Sequence, residues 1–126
     1  MRQTKHGFKT PEVAMTFLDL QPTLILIVGK MLQWCDKRNL PFVITSAVRD
    51  FEQGQVSQTH PEGRAVDISV HGWSAADIYE FEKEWEANEL AKKYGAVKAD
   101  GTVNMVYFHT VAGGAPHFHI QIRHNV

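Results

Sequence analysis

The sequence contains a single cysteine, which excludes a scaffold held together by disulfides within the chain. Cys35 is the single cysteine of the chain, so an intrachain disulfide cannot form and the composition fits a reducing compartment. Cys35 falls on the apolar stripe of a predicted helix, and this position indicates a buried structural thiol rather than a nucleophile.

Net charge and long apolar runs are also scarce. Thirteen Lys and Arg against fourteen Asp and Glu give a formal net charge of -1, which offers no steering toward nucleic acid or an anionic membrane. The longest apolar run, LILIV at residues 24–28, is far too short to cross a bilayer, so we expect no integral membrane segment. The first residues carry no apolar region behind their basic side chains, so we expect a cytoplasmic product without a secretory signal.

The chain has no visible repeat or interdomain linker, and its 126 residues suit one core, so we expect a single domain over residues 1–126. Periodicity predicts one helix over 22–38, and a capping box formed by Ser74 and Asp77 opens a second helix that stops at Gly95. Residues 1–20 read as an irregular lead-in. The predicted strands are 41–46, 64–70, 103–109 and 117–122. This order predicts an α+β fold with two main helices and a mostly antiparallel sheet.

Two of these strands carry polar side chains on one face. In HFHIQI the pleat puts His117, His119 and Gln121 on one side and Phe118 on the other. In RAVDISV, Asp67 points away from the apolar side.

Three residues have the chemistry of a catalytic zinc site. Such a site takes three protein ligands, commonly His and a carboxylate, and leaves a fourth position for water. His60, Asp67 and His119 can supply that set, because a Gly-containing bend lets the chain fold His60 back toward Asp67. The same residues also fit a turn histidine, a solvent-facing carboxylate and a pair of surface imidazoles, and spacing alone leaves both interpretations open.

The stretches SQTHPEGRAVDIS and HFHIQI resemble the superfamily of zinc peptidases that cut bacterial cell-wall peptides. That superfamily includes D-Ala-D-Ala carboxypeptidases, phage L-Ala-D-Glu endolysins and the N-terminal domain of hedgehog proteins, and EGRAVDI is especially similar to the hedgehog version. The family pattern is Ser-x-His-x-x-Gly-x-Ala-x-Asp followed by a late His. Here His60, Gly63, Ala65 and Asp67 match it in register, and His119 matches the terminal ligand.

The resemblance implies a hedgehog/DD-peptidase fold, a zinc ion (Zn2+) held by His60, Asp67 and His119, and a peptidoglycan stem peptide as substrate. It covers roughly residues 20–122, and it implies hydrolysis in which a water molecule at the metal is the nucleophile. VITSAVRD resembles the segment that directs an Arg toward substrate, so Arg49 is expected to bind a substrate carboxylate. An alternative for Arg49 is a surface pair with a neighbouring acid. We expect a monomeric D,D-carboxypeptidase or L-Ala-D-Glu endopeptidase that acts on the cell wall, for instance as a phage lysis or tail protein.

The sequence departs from the family at the residues that move protons. The family Ser is replaced by Gln58, and the positions where relatives carry an acidic base are Pro116 and Gly113. Hydrolysis needs a group that accepts and returns a proton, and a histidine can do this. His117 is our first candidate and His109 our second, as in wall-lytic peptidases of the lysostaphin type. The alternative is a zinc-binding interaction module of the same fold without turnover.

Overall fold

The computed structural model describes residues 6–48, 62–110 and 115–124, and these ranges contain nine helices and strands. In chain order they are β1 (His6–Phe8), α1 (Pro11–Phe17), α2 (Pro22–Lys37), β2 (Phe42–Ser46), β3 (Ala65–Ser69), α3 (Ala75–Ala87), α4 (Glu89–Tyr94), β4 (Val106–His109) and β5 (His117–Gln121). Within those ranges no helix combines the length and the apolar character needed to cross a bilayer.

The strands form one mixed sheet in the order β1-β2-β3-β5-β4. β1 runs parallel to β2, whereas β2–β3, β3–β5 and β5–β4 are antiparallel. The predicted α+β class is therefore confirmed. The parallel pair is β1 with β2, and β1 is a strand that the sequence did not predict.

The first twenty residues contain β1 and α1 instead of the irregular lead-in that the sequence predicted. β1 is only three residues long, and none of the seven residues of α1 is buried. Such short elements lack the repeated apolar positions from which periodicity is read, which explains the error.

Helix α2 follows the sequence prediction closely. Pro22 occupies its first turn, where a missing N–H costs nothing, and the helix ends at Lys37, one residue before the predicted boundary. Asn39 then adopts a φ of 59°, a left-handed conformation that Asn tolerates and that turns the chain out of the helix. The buried stripe consists of Leu24, Ile27, Val28, Met31 and Cys35.

The predicted second helix is interrupted. Ser74 and Asp77 form the expected capping box at the start of α3, but Asn88 is extended, with φ −69° and ψ 146°. Its side-chain oxygen accepts a hydrogen bond of 2.9 Å from the backbone N–H of Leu90, so Asn88 caps α4 as a new start. The described residues therefore contain four helices where two main helices were expected.

The core lies on one face of the sheet. Val66 and Ile68 of β3 and Phe118 and Ile120 of β5 are fully buried, together with side chains of α2 and α3. The ring of Phe118 packs against that of Phe81 on α3 at a centroid distance of 4.8 Å. Burial of each such side chain stabilises the fold by roughly 1.5 to 3 kcal/mol, which fixes the register that puts the alternate residues on the opposite face.

The start of β3 is tied to the junction between α1 and α2. The backbone N–H of Gln21 donates to the carbonyl of Gly63 at 2.8 Å, and its side chain donates to the carbonyl of Glu62 at 3.3 Å. Gly63 has a φ of +71°, and a Cβ there would lie 2.8 Å from the carbonyl oxygen of Asp19. Only glycine fits this contact without strain.

Candidate functional site

Polar side chains gather on the sheet face opposite the core. In the register of the sheet, Asp67 of β3 is the direct partner of His119 on β5, and His119 is in turn the partner of Tyr107 on β4. One step along the same strands, His117 lies between Ser69 and His109. The sequence prediction that Asp67, His117 and His119 leave the core is confirmed.

Asp67 is the centre of this cluster. It is 7% exposed and is the one polar or charged residue classed as buried in the described part of the chain. Its Oδ1 lies 3.0 Å from Nδ1 of His119 and 3.9 Å from Nε2 of His117. Burial of a carboxylate costs free energy unless a positive or hydrogen-donating group faces it. The two imidazoles beside Asp67 can supply such a group and so lower that cost.

The pair formed by Asp67 and His119 has the chemistry of metal ligands. A carboxylate oxygen and an imidazole nitrogen are ordinary zinc ligands, and two such atoms bound about 2.0 to 2.2 Å from a tetrahedral zinc ion lie about 3.3 to 3.6 Å apart. The observed separation of 3.0 Å is shorter than this and is that of a hydrogen bond. Gln121, on the same face, has its Oε1 3.2 Å from Nε2 of His119.

His117 has its two nitrogens in different environments. Nδ1 lies 3.2 Å from the carbonyl oxygen of Ala115, and because a carbonyl can only accept, Nδ1 carries the proton in that contact. In the neutral ring the lone pair is then on Nε2, the atom nearer to Asp67. His117 is 22% exposed, so solvent or a ligand can reach the ring.

His109 lies beside His117 at the end of β4. The two rings meet edge to face with centroids 5.2 Å apart, and the ring of Tyr107 lies 5.6 Å from that of His109. Tyr107 is 48% exposed and was not singled out from the sequence, although it stands two residues before His109 and therefore on the same face of a strand. The pair of predicted catalytic histidines is thus brought together with the predicted ligand pair.

Several predicted residues lie outside the described part of the chain. They are His60, the third predicted ligand; Arg49, the predicted substrate anchor; and the family positions Gln58 and Gly113. Within residues 6–48, 62–110 and 115–124, no group of three or more His, Cys, Asp or Glu side chains is placed to hold a metal ion. Pro116 is exposed next to His117.

Glu62 is engaged at the surface. Its Oε1 accepts a 2.8 Å hydrogen bond from Arg64, and its Oε2 lies 3.5 Å from Nδ1 of His124. The hydrogen bond from Arg64 is the main reason why the pKa of Glu62 lies below its usual value. These contacts favour a structural turn carboxylate over a catalytic acid or base.

Cys35 and Trp73 are structural. Cys35 is fully buried, and this burial raises the pKa of its thiol to about 12, so the thiolate needed for nucleophilic chemistry is disfavoured. Trp73 packs edge to face against Phe81 and donates its indole N–H to the carbonyl of Pro41 at 2.8 Å. It belongs to the core side of the sheet.

Comparison with known proteins identifies no relative: no family model, no curated protein and no solved structure matches this chain. The function is therefore inferred from the polar cluster and from the sequence motifs.

Proposed function

We propose that this chain is a zinc-dependent peptidase that hydrolyses amide bonds in bacterial cell-wall stem peptides. The observation that carries the proposal is the contact between Asp67 and His119, two potential metal ligands 3.0 Å apart, with a third imidazole, His117, beside the same carboxylate. The sequence motif around His60 and Asp67 supports the same assignment.

His60, Asp67 and His119 would hold the ion. A bound zinc ion would polarise the scissile carbonyl and make a water molecule at its open position acidic enough to act as a nucleophile. Two of the three ligands come from adjacent antiparallel strands, whose hydrogen bonds fix their relative position better than a loop would. His60 precedes Gly63, whose carbonyl is bonded to Gln21, so the chain that leads from His60 into β3 has a fixed end.

His117 would move the proton. The contact of its Nδ1 with the carbonyl of Ala115 leaves Nε2 able to accept a proton from the attacking water and then to give it to the leaving amine. His109, edge to face with His117, would hold that ring in place and offer a second site for the proton. These two histidines take the role for which the family uses an acidic residue at the positions now occupied by Pro116 and Gly113.

The substrate class comes from the motif resemblance. A peptidoglycan stem peptide carries free carboxylates, and Arg49 would bind one of them through two parallel hydrogen bonds. The activity would be of the D,D-carboxypeptidase or L-Ala-D-Glu endopeptidase type. A monomer made in the cytoplasm and released onto the cell wall, as a phage lysis or tail protein is, would suit such an activity.

A second candidate is a zinc-binding interaction module without turnover. It is favoured by one observation: the exposed residue directly before His117 is Pro116, which cannot donate or accept a proton as the acid of catalytic relatives does. In this case the same ligands would hold zinc, and the exposed face around Tyr107 would contact a partner.

A digestion experiment separates the two candidates. Isolated peptidoglycan is incubated with the purified protein, with a chelator, and with the chelator followed by excess zinc, and released fragments are identified by mass spectrometry. Release of a defined peptide that stops with chelator and returns with zinc is the expected result, and the fragment names the bond. Stoichiometric zinc without any release would overturn the peptidase and favour the interaction module.

A further inference from the structure

Four side chains lie in one row across the polar face of the sheet. The strand register pairs Ser46 of β2 with Asp67 of β3. It pairs Asp67 in turn with His119 of β5, and His119 with Tyr107 of β4. Direct cross-strand partners point to the same side of a sheet, and neighbouring strands are about 4.8 Å apart. The Asp67–His119 pair is therefore flanked by Ser46 on one side and by Tyr107 on the other.

The row is buried at one end and open at the other. The β-bulge between Ile44 and Ser46 turns Ser46 to the polar face, and its hydroxyl oxygen is buried there. The side chain of Asp67 is 10% exposed and that of His119 is 18% exposed, whereas Tyr107 is 48% exposed. Exposure thus rises from β2 toward β4, so a molecule that reaches the Asp67–His119 pair along this row first passes over Tyr107.

The ring of Tyr107 is suited to contact such a molecule. β4 is the outer strand on this side, and in the described part of the chain no further strand lies beyond it. A tyrosine ring offers a large apolar contact area on only two rotatable side-chain bonds, so its contact with a ligand costs little conformational entropy. The ring can therefore bind a small apolar group of a molecule whose polar part reaches Asp67 and His119.

The spacing along the row fits a peptide chain. Tyr107 lies one strand spacing, about 4.8 Å, from His119 and two such spacings from Asp67. An extended peptide advances about 3.3 Å per residue. When the scissile bond of a peptide lies over the Asp67–His119 pair, a residue one or two positions from that bond therefore lies over Tyr107.

We infer that Tyr107 is a substrate-binding residue that contacts the methyl group of an alanine within two residues of the scissile bond, in a peptide that crosses the sheet from β4. The inference rests on the proposed function, in which both candidate bonds contain alanine. It adds the direction from which the substrate enters and a residue that selects one of its side chains. An alanine methyl group can lie against one face of the ring, whereas glycine has no carbon atom for this contact.

The first test is a double-mutant cycle between enzyme and substrate. Zinc-loaded wild type and Tyr107→Ala are assayed on a synthetic stem peptide that contains the L-Ala-D-Glu and D-Ala-D-Ala bonds, and on copies in which each alanine in turn is replaced by glycine. With the wild type, one glycine copy should lower kcat/KM by about 10-fold, the lower end of the effect of a single methylene group in an enzyme pocket. Tyr107→Ala should not distinguish that copy from the parent peptide. Equal discrimination by both enzymes would overturn the inference.

Two control variants separate contact with the substrate from a structural effect. Tyr107→Phe keeps the ring and should retain the discrimination between alanine and glycine, and its loss in this variant would overturn the ring contact. Tyr79→Ala removes an exposed ring from α3, which packs on the opposite face of the sheet, and should behave as the wild type does. A loss of discrimination in Tyr79→Ala would also contradict the assignment to Tyr107.

The second test detects the contact without relying on activity. The same peptide is added to zinc-loaded His117→Ala, in which cleavage should be slow, and nuclear Overhauser effects are recorded between the Tyr107 ring protons and the methyl protons of the peptide. A cross-peak to one alanine methyl group is the expected result, and it should come from the alanine that the kinetic cycle identifies. Bound peptide without such a cross-peak would overturn the inference.

The two tests also separate this inference from the proposed function. If the wild type cuts the peptide and the cycle shows no coupling, the peptidase stands and the role of Tyr107 fails. If nothing is cut but the bound peptide contacts Tyr107 through an alanine methyl group, the peptidase fails and the binding role stands. A protein that neither cuts nor binds the peptide would overturn both.

Discussion

Asp67 and His119 are direct cross-strand partners on β3 and β5, and their side chains meet on the face of the sheet that the core does not use. Residues that face each other in this way are held by the hydrogen-bond ladder on both sides. The register of β3 and β5 therefore brings the polar side chains together. A substitution of either partner should alter ion binding but leave the fold intact, because the core lies on the opposite face of the sheet.

Removal of the Asp67 carboxylate should abolish tight zinc binding. Asp67→Asn keeps the shape of the side chain but loses the anionic ligand. Its zinc affinity should fall further than the loss of about 10- to 100-fold that is typical for a residue that only hydrogen-bonds to a ligand. A ligand present at 100 times its Kd stabilises the folded state by about 2.7 kcal/mol, so zinc should raise the Tm of the wild type and have little effect on the variant. Thermal unfolding with and without zinc measures this.

The control for Asp67→Asn is Asp19→Asn, which changes an exposed carboxylate away from the cluster. It should respond to zinc as the wild type does. An equal zinc response in Asp67→Asn would remove Asp67 from the ligand set.

Replacement of His117 should separate catalysis from metal binding. His117→Ala loses the proton acceptor, so kcat on a released stem peptide should fall by about 100- to 10,000-fold. The ligand candidates Asp67 and His119 remain, so bound zinc, measured by elemental analysis, should stay stoichiometric. His124→Ala changes a mostly exposed imidazole, 64% exposed, and should retain activity. Full activity in His117→Ala would shift the proton-transfer role to another group.

The contact between Gly63 and Asp19 should make Gly63 intolerant of a side chain. Gly63→Ala combines a φ of +71° with a Cβ 2.8 Å from a carbonyl oxygen, whereas Gly101→Ala has a φ of +88° and open space around it. Both variants bear the left-handed strain of about 1 to 2 kcal/mol, but only the first must also displace the backbone. Urea unfolding should therefore show a larger loss in Gly63→Ala, and equal losses would contradict the close approach.

The buried thiol of Cys35 should make the fold sensitive to high pH. Its pKa rises from 9.0 to about 12 because burial disfavours the thiolate. The unfolded chain therefore releases this proton first as the pH rises, so the contribution to stability is complete below 9.0 and is lost progressively toward about 12. The difference in unfolding free energy between the wild type and Cys35→Ala, followed against pH, isolates this effect from Lys and Tyr titration. A difference that does not change above pH 9 would contradict it.

Local periodicity explains which features the sequence predicted. The alternation in HFHIQI and RAVDISV fixes the side of the strand on which His117, His119 and Asp67 lie, because the pleat allows no other arrangement. The apolar stripe of α2 likewise depends on nearby residues alone. These predictions needed no knowledge of what packs against the strand or helix.

Features that depend on distant partners were not predicted. The adjacency of β3 and β5 joins residues 52 positions apart at Asp67 and His119, and no local pattern encodes that choice. The break at Asn88 was missed because apolar residues continue on both sides of it. The contact of Gln121 with Asn104 was also missed because it joins distant segments. The alternation predicted the face on which Gln121 lies, but not the residue that it contacts there.

The junction between α1 and α2 has a consequence for any transfer of the polar cluster to another scaffold. Gln21 donates its backbone N–H to the carbonyl of Gly63, and the carbonyl of Asp19 leaves no room for a Cβ there, shortly before Asp67 in β3. A scaffold that kept only β3 and β5 would reproduce the facing side chains but would lose the hydrogen bond that holds the backbone just before β3. The smallest unit that could be transferred therefore includes the junction between α1 and α2, although this junction contributes no side chain to the cluster.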